Sequence, residues 1–470
     1  MTRTLVVAAA LVLLPGALIA ATYRVAPDGS GDFPNIQAAV VSVASGDSIL
    51  LEDGVYTGPG NRDILFPARD IVLRSGSGEP SLCTLDCEGS SGNPHRAFVM
   101  PSGGEPIIEG ITIQNGYLGG EYDLGGAILC SSTSPRFRNC RFIANHASEG
   151  GAAYFRDGSR PRFEDCRFLS NSCDFTGGAI LCFYAGLELI GCEFVDNRSS
   201  DLIAGAVQLV SNPTPTLIVD CVFEGNYARA NTGALALGDG AGHSVRSTRF
   251  IDNATSGTIG GAVSAYYCGV SFLDCEFVGN HCDDPLSAGS VGGGAIRLLN
   301  VSATFMRCLF AGNTAAGLGG AIAAYSSALG MNRCTFAANA GGVDAGGILL
   351  DSGGMARSTL SHSIIAFSSA GGAIGCPSGA DVTLTCCDIY GNVGGDWDGC
   401  IEGQLGVAGN FSGDPRFCGE ANPDSPWSLR EDSPCAPANN ADCGLIGVYD
   451  AGCGTTALGE TSWSALKSLY

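Results

Sequence analysis

The sequence predicts an all-β solenoid in which coils of about 26 residues stack along one axis. The first observation is a hexapeptide, Cys-x-(Phe or Ile)-x-x-Asn, that keeps returning between Cys140 and Asn392. It reads CRFIAN from Cys140, CRFLSN from Cys166, CEFVDN from Cys192 and CVFEGN from Cys221. It continues as TRFIDN from Thr248, CEFVGN from Cys275, CLFAGN from Cys308, CTFAAN from Cys334 and CDIYGN from Cys387. Successive intervals are 26, 26, 29, 27, 27, 33 and 26, then 53, which is two intervals with a degraded copy at His362 to Phe367. The second observation is a marker of the type GGAI, in register with the first, at Gly125, Gly150, Gly177, Ala204, Gly260, Gly293, Gly319 and Gly371. The third is composition. Gly supplies 70 of 470 residues and charged residues only 15%, against roughly 25% charged in ordinary domains.

Each element of a coil follows from these patterns. The period is too short for paired-helix repeats, and the apolar stretches are short and rich in Phe, Ile, Val and Cys, as strands are. Gly, Asn, Ser and Asp fall between them, where the chain must bend. Cys and Phe, two apart, face inward together, while Asn139 and Arg141, Asp165 and Arg167, and Asp274 and Glu276 face solvent. The ladder Asn sits at a bend, where its amide can bond its neighbours above and below.

In chain order, residues 1–21 read as a secretory signal peptide, with Arg3, an apolar Leu5 to Leu14 and a small-residue exit near Ala20 or Ala21. An uncleaved anchor is the competing reading, and the apolar run is short for a span. Residues 22–115 form an N-terminal cap and first coils, with Ile107 to Ile113 as the first regular strand. Residues 116–395 are the repeats, and 396–454 are Cys-rich last coils and a C-terminal cap. Residues 455–470 are a tail that reads equally as a sorting signal or a frayed end.

Charge and cysteine usage exclude several functions. The 24 basic and 46 acidic residues leave a net charge of −22, which argues against a nucleic-acid or anionic-membrane partner. The single lysine, Lys467, leaves no lysine base or Schiff base in the body of the chain. Twenty-two cysteines fit an oxidising compartment, so the chain is expected to be secreted or at the cell surface. Within the ladder, in-register strands lie ~4.8 Å apart, too far for a disulfide's Cβ spacing of ~3.8 Å, so the ladder thiols are expected to be unpaired. Bridges belong off the ladder, with Cys435–Cys443 the best pair. No CxxC pair or His cluster suggests a metal.

The GGAI marker alternating with Phe-x-x-Asn resembles the repeats of polymorphic outer-membrane proteins and related right-handed parallel β-helix proteins. DGSGDFPNIQAAV (Asp28 to Val40) followed by GDSILLEDGVYTG (Gly46 to Gly58) resembles the opening coil of pectin-lyase-like β-helices. The resemblance spans roughly Tyr23 to Asn392 and implies that fold. The superfamily hosts lyases, esterases, hydrolases and passive surface proteins alike. Its enzyme signatures are not met: Asp174-Phe175-Thr176-Gly177 runs into a repeat glycine pair, Gly242-His243-Ser244 stands alone, and Arg160-Pro161-Arg162 lacks calcium-binding carboxylates around it.

Three sets of residues merit a functional hearing. Asp220, Asp274 and Glu276 lie on equivalent strands with Arg249 between, and carboxylates two coils apart would stand ~9.6 Å from one another, at the edge of what an inverting glycosidase uses. Asp283-Asp284, in the longest interval, could bind Ca²⁺ or act on sugar. The Asn ladder could bind carbohydrate. In each case the plainer reading is structural: a solvated acidic face, a polar loop insertion and satisfied bends. No His flanks the ladder Cys, so the sequence assigns no catalytic, cofactor or metal residue. It predicts a structural, adhesive or glycan-contacting β-helix, monomeric and without a membrane span, with polysaccharide or cell-surface glycan as partner. A polysaccharide lyase or glycoside hydrolase is the alternative.

Overall fold

The computed structural model describes residues 20–101, 103–212, 214–240, 242–283, 292–351 and 357–453. The segment before Ala20, expected to be a signal peptide, and also Asp284 and the tail from residue 454 onward lie outside these. The chain forms a parallel β-helix in which every coil returns to the same three faces. One coil shows the plan. Arg136–Arg138 belongs to a 14-stranded parallel sheet, the first face, and Arg141–Ile143 to a 13-stranded parallel sheet, the second. His146–Glu149 and Ala153–Arg156 then make the third face as a pair of strands. The next coil opens at Arg162–Glu164, paired residue for residue with Arg136–Arg138. Regular coils start earlier than the sequence suggests. Ile107 to Ile113 is two strands, Ile107–Glu109 and Thr112–Gln114, joined across Gly110 at φ 69°, and the first face already begins at Thr22–Val25.

Two corners per coil are made by single left-handed residues. Asn139, Asp165, Asp220 and Asp274, each just before a ladder Cys or its equivalent, have φ between 46° and 55°. Ala144, Ser170, Asp196 and Asp252, before the ladder Asn, have φ between 50° and 54°. Asn, Asp and Gly suit such positions because their strain there is smallest. The glycine pairs serve a different purpose from a simple bend. At Gly178, Gly205 and Gly233 a Cβ would overlap the carbonyl oxygen of the equivalent glycine one coil on, so these backbones pack with no room for any side chain. Gly233 holds this place within Thr232-Gly233-Ala234, a copy that the sequence pattern does not reveal.

The open N-terminal end is closed by the helix Ile36–Ser42, capped by Asn35, whose Oδ1 accepts from the Ala38 amide at 2.8 Å. Ile36, Ala39 and Val40 point into the core and cover the first coils.

Inside, identical side chains stack. Phe142, Phe168, Phe194, Phe223, Phe250, Phe277, Phe310 and Phe336 form one column of near-parallel rings, 4.6 to 5.0 Å between centroids. Cys140, Cys166, Cys192 and Cys221 are buried and unpaired, one per coil, as the strand spacing demands. The thiols of Cys140 and Cys166 donate to carbonyls two residues back at 3.3 Å. In the degraded coil Ser363 takes the cysteine's place and Ser368 the asparagine's, so the copy runs from Ser363 to Ser368, one residue on from the expected His362 to Phe367. The Asn column is also structural. Asn226 Nδ2 donates to Phe194 O at 2.8 Å and to Asn253 Oδ1 at 2.9 Å, while its own Oδ1 accepts from the Asn197 backbone and amide. Removing it orphans buried groups on both sides. Asn226→Ala is expected to cost about 2–3 kcal/mol, read as a lower urea midpoint with unchanged m.

The C-terminal region is a cap tied by three disulfides, Cys376–Cys400, Cys386–Cys443 and Cys418–Cys453. This corrects the expected Cys435–Cys443 pair. Cys443 is carried back to Cys386 at a Cα separation of 5.6 Å, and Cys435 instead sits buried with its thiol donating to Asp388 Oδ2 at 3.1 Å. Mass mapping under non-reducing conditions is expected to recover these three bridges and to find Cys140 and Cys166 alkylatable after unfolding. A Cys140–Cys166 link would contradict the stacked geometry. From Gly444 to Asp450 the chain runs as a strap over the outer face of the second sheet, with Gly447 N donating to His362 O and Val448 N to Thr335 Oγ1. That cover explains why the outward row turns uncharged and buried at Leu309, Thr335 and Ile364. Among the described residues no helix is long and apolar enough to cross a membrane.

Candidate functional site

The outward rows of the first and second sheets carry the acidic residues that the sequence singles out. Asp274, on its left-handed corner, is held by both arms of Arg307 one coil on, at 2.6 and 2.7 Å. Glu276 lies 3.5 Å from Arg249 and accepts from the Tyr449 hydroxyl of the strap at 2.6 Å. Burial and that carboxylate push the Tyr449 phenol above its usual range. Asp220 is exposed two coils before Asp274, with Ser247 on the coil between. The same pattern holds further toward the N-terminus. Arg138 meets Glu164 at 2.9 Å, Arg162 meets Glu188 at 3.0 Å, and Arg167 Nε donates to Glu193 at 2.7 Å. Arg162 also contacts Glu164, and the guanidinium groups hold that carboxyl below its ordinary range against the effect of burial. These are rungs of alternating charge running from coil to coil. Asp283 is exposed beside His281, 3.6 Å away. Among the described residues no three His, Cys, Asp or Glu side chains converge as a metal site.

A different row was not legible from the residues flanking Cys. It begins where each ladder Asn ends, and its members are His146, Ser172, Arg198 and Tyr227 on the third face. His146 stacks on Tyr117 at 4.7 Å and bonds Ser172 Oγ through Nδ1 at 3.0 Å. Its Nε2 lies 3.7 Å from Asp174, and burial lowers its pKa more than Asp174 raises it. Beyond Tyr117, His95 Nδ1 is 2.6 Å from Asp63 Oδ2. In the other direction Arg198 lies over the Tyr227 ring at 4.5 Å. Neutral imidazole, phenol, hydroxyl and guanidinium groups thus follow one another at the coil spacing. Such a row can hydrogen-bond an extended polar chain lying along the axis.

Comparison with known proteins agrees with this architecture. A family model described as a right-handed β-helix region matches residues 61–223. No curated protein matches the sequence. Among solved structures, the chain is similar to the PL6-family alginate lyase AlyGC, at 14% identity and a TM-score of 0.52, over 94% of this chain and 58% of that one. A mannuronic-acid-specific family 6 polysaccharide lyase from human gut microbiota has 12% identity and a TM-score of 0.39, over 84% and 91% of the two chains. The pectate lyase Pel9A has 14% identity and a TM-score of 0.31, over 93% and 98%. The chain therefore spans little more than half the length of the alginate lyase. Likeness to the alginate lyase at 14% identity is one of fold, and with the family model it gives the fold as a right-handed parallel β-helix.

Proposed function

We propose that the protein is an exported β-helix of the cell surface or extracellular space, with a structural, adhesive or glycan-contacting role and without catalysis. The observation that carries this is the engagement of the outward carboxylates. Glu164, Glu188, Glu193, Asp274 and Glu276 each lie in an ion pair with an arginine of the same or a neighbouring coil. At Glu164 the arginines hold the carboxyl below its ordinary range, whereas a general acid needs a raised one. The same rows offer paired donors and acceptors every ~4.8 Å, a spacing suited to hydroxyl-rich polymers. Three disulfides support an oxidising compartment, as do the signal-like residues 1–21. The repeats resembling those of polymorphic outer-membrane proteins support a surface location.

A second reading, a polysaccharide lyase or hydrolase, is favoured by one arrangement. The His95–Asp63 pair and the Tyr117–His146 stack place two imidazoles and a phenol on one row. A panel of acidic and neutral polysaccharides, assayed for retention and for product release, separates the two. Retention without turnover on pectate, homogalacturonan or alginate, with or without Ca²⁺, is the expected result. Unsaturated or reducing-end products abolished by His95→Ala, Asp220→Asn or Asp274→Asn would replace this reading with the enzyme.

A further inference from the structure

The C-terminal cap carries an open cleft of about 490 Å³ that none of the sheet rows reaches. That volume lies within the range of small-ligand sites. Its floor is aromatic. Phe367 meets Phe417 edge to face at 6.2 Å between centroids, and Phe417 meets Trp427 in the same manner at 5.4 Å. Its rim is polar. Arg416 Nη1 donates to Asp432 Oδ2 at 2.9 Å and Arg430 Nε to Asp432 Oδ1 at 3.3 Å, with Asp414 beside them.

Two of these residues stand on left-handed backbone. The position before the ladder Asn is left-handed in every coil, and elsewhere it is small or short: Ala144, Ser170, Asp196, Gly225, Asp252, Gly279, Gly312 and Ala338. In the coil between those of Cys334 and Cys387 it is Phe367, ahead of Ser368 and at φ 60°, with its ring exposed toward the cleft. A bulky aromatic residue is a true outlier in that conformation. Arg416 is also left-handed, at φ 51°, and its amide is tied to Asp414 Oδ1 at 2.8 Å. Tyr184, Tyr267, Arg307 and Arg333 are left-handed elsewhere in the chain, so the cleft is marked by its aromatic floor and charged rim rather than by its backbone. The neighbouring Cys418–Cys453 bridge keeps the frame rigid.

We infer that this cleft binds one pyranose unit of an uncharged saccharide. The flat apolar rings offer a face for the sugar's C–H groups, and the guanidinium and carboxylate groups around them match its hydroxyls as donors and acceptors. Charge selects the class. The two arginines and two aspartates of the rim cancel, while the whole chain carries −22, so a polyuronate meets no local compensation for the field that repels it. The cleft is separate from the sheet faces, and the glycan-contact reading of those faces stands or falls without it.

The test is calorimetric titration of the full chain with cellohexaose, mannohexaose and laminarihexaose, and with hexagalacturonate as the acidic arm. At least one neutral hexasaccharide is expected to bind saturably with a Kd of about 0.1–1 mM. Trp427→Ala is expected to weaken that binding about tenfold or more, and Arg430→Ala to weaken it several-fold. Arg430 is well exposed, so its variant keeps the fold if Trp427→Ala does not. Glu79→Ala, in an exposed loop away from the cleft and the sheet rows, should leave the affinity unchanged. Absence of neutral binding, preference for hexagalacturonate, or indifference to both cap variants would overturn the inference.

Discussion

Gly205→Ala is expected to lower stability by about 4 kcal/mol or more and to open the middle coils to protease. The backbone angle at Gly205 is one that alanine can adopt, so the penalty is purely spatial. An added Cβ would strike the Gly233 carbonyl oxygen and come within 2.6 Å of the Tyr227 amide nitrogen and carbonyl oxygen. All of these atoms are backbone, locked by hydrogen bonds to the next coil, including Gly205 N to Thr232 O at 3.0 Å. No flexible side chain can swing away. The strain must instead spread into the coil spacing, and a stack of coils has no other route to relieve it. Thermal melting with limited proteolysis around Ser199 to Val207 reads the effect. A melting temperature within a degree or two of the parent would show that coils can separate more easily than close packing allows.

The second large effect is on pH dependence, through Asp388. This carboxyl is fully buried where the second sheet meets the cap, accepting from Gly413 N at 3.0 Å and from the Cys435 thiol. Burial raises its pKa from 3.8 to about 7. The folded chain therefore binds a proton that the unfolded chain has released between about pH 4 and 7. Stability falls as pH rises through that window, by an amount on the order of 4 kcal/mol. Below pH 4 both states are protonated and the contribution is present in full; above pH 7 it is gone. Asp388→Asn keeps the shape and a donor without the charge, so it should be the more stable protein at pH 8 and show a flatter profile. Urea unfolding of both proteins at pH 5 and pH 8 decides it. A parent that gains stability across this range would refute the assignment to Asp388.

Much of the coil was legible because each role recurs in sequence at a fixed interval. Cys166 and Phe168, or Asn171 and Asn197, reveal their function by repetition alone. The cap repeats nothing. Cys443 finds Cys386, 57 residues back, rather than the nearby Cys435, because the chain doubles back through turns that carry no periodic signal. The third-face row was hidden for a different reason. His146, Ser172, Arg198 and Tyr227 share a position but not a chemistry, so a search for recurring residues passes over them. Reading the residue after every ladder Asn would have found them. Tyr449 meeting Glu276 could not be foreseen, since nothing in either neighbourhood marks the other.

That last contact bears on the order in which the molecule assembles. Successive coils touch at separations near 26 residues, so each new coil can add to the edge of the previous one with a short loop to close. The strap obeys another scale: Val448 reaches Thr335 across 113 residues, and Tyr449 reaches Glu276 across 173. Its landing surface does not exist until the coils from Glu276 to Ile364 are complete. Growth of the stack is thus local and incremental, whereas closure of the cap is a late event of high contact order. In refolding from denaturant with the three bridges reduced, the Phe column should form before Tyr449 is shielded, and oxidation of Cys386 to Cys443 should then seal an edge that would otherwise remain free to recruit further strands.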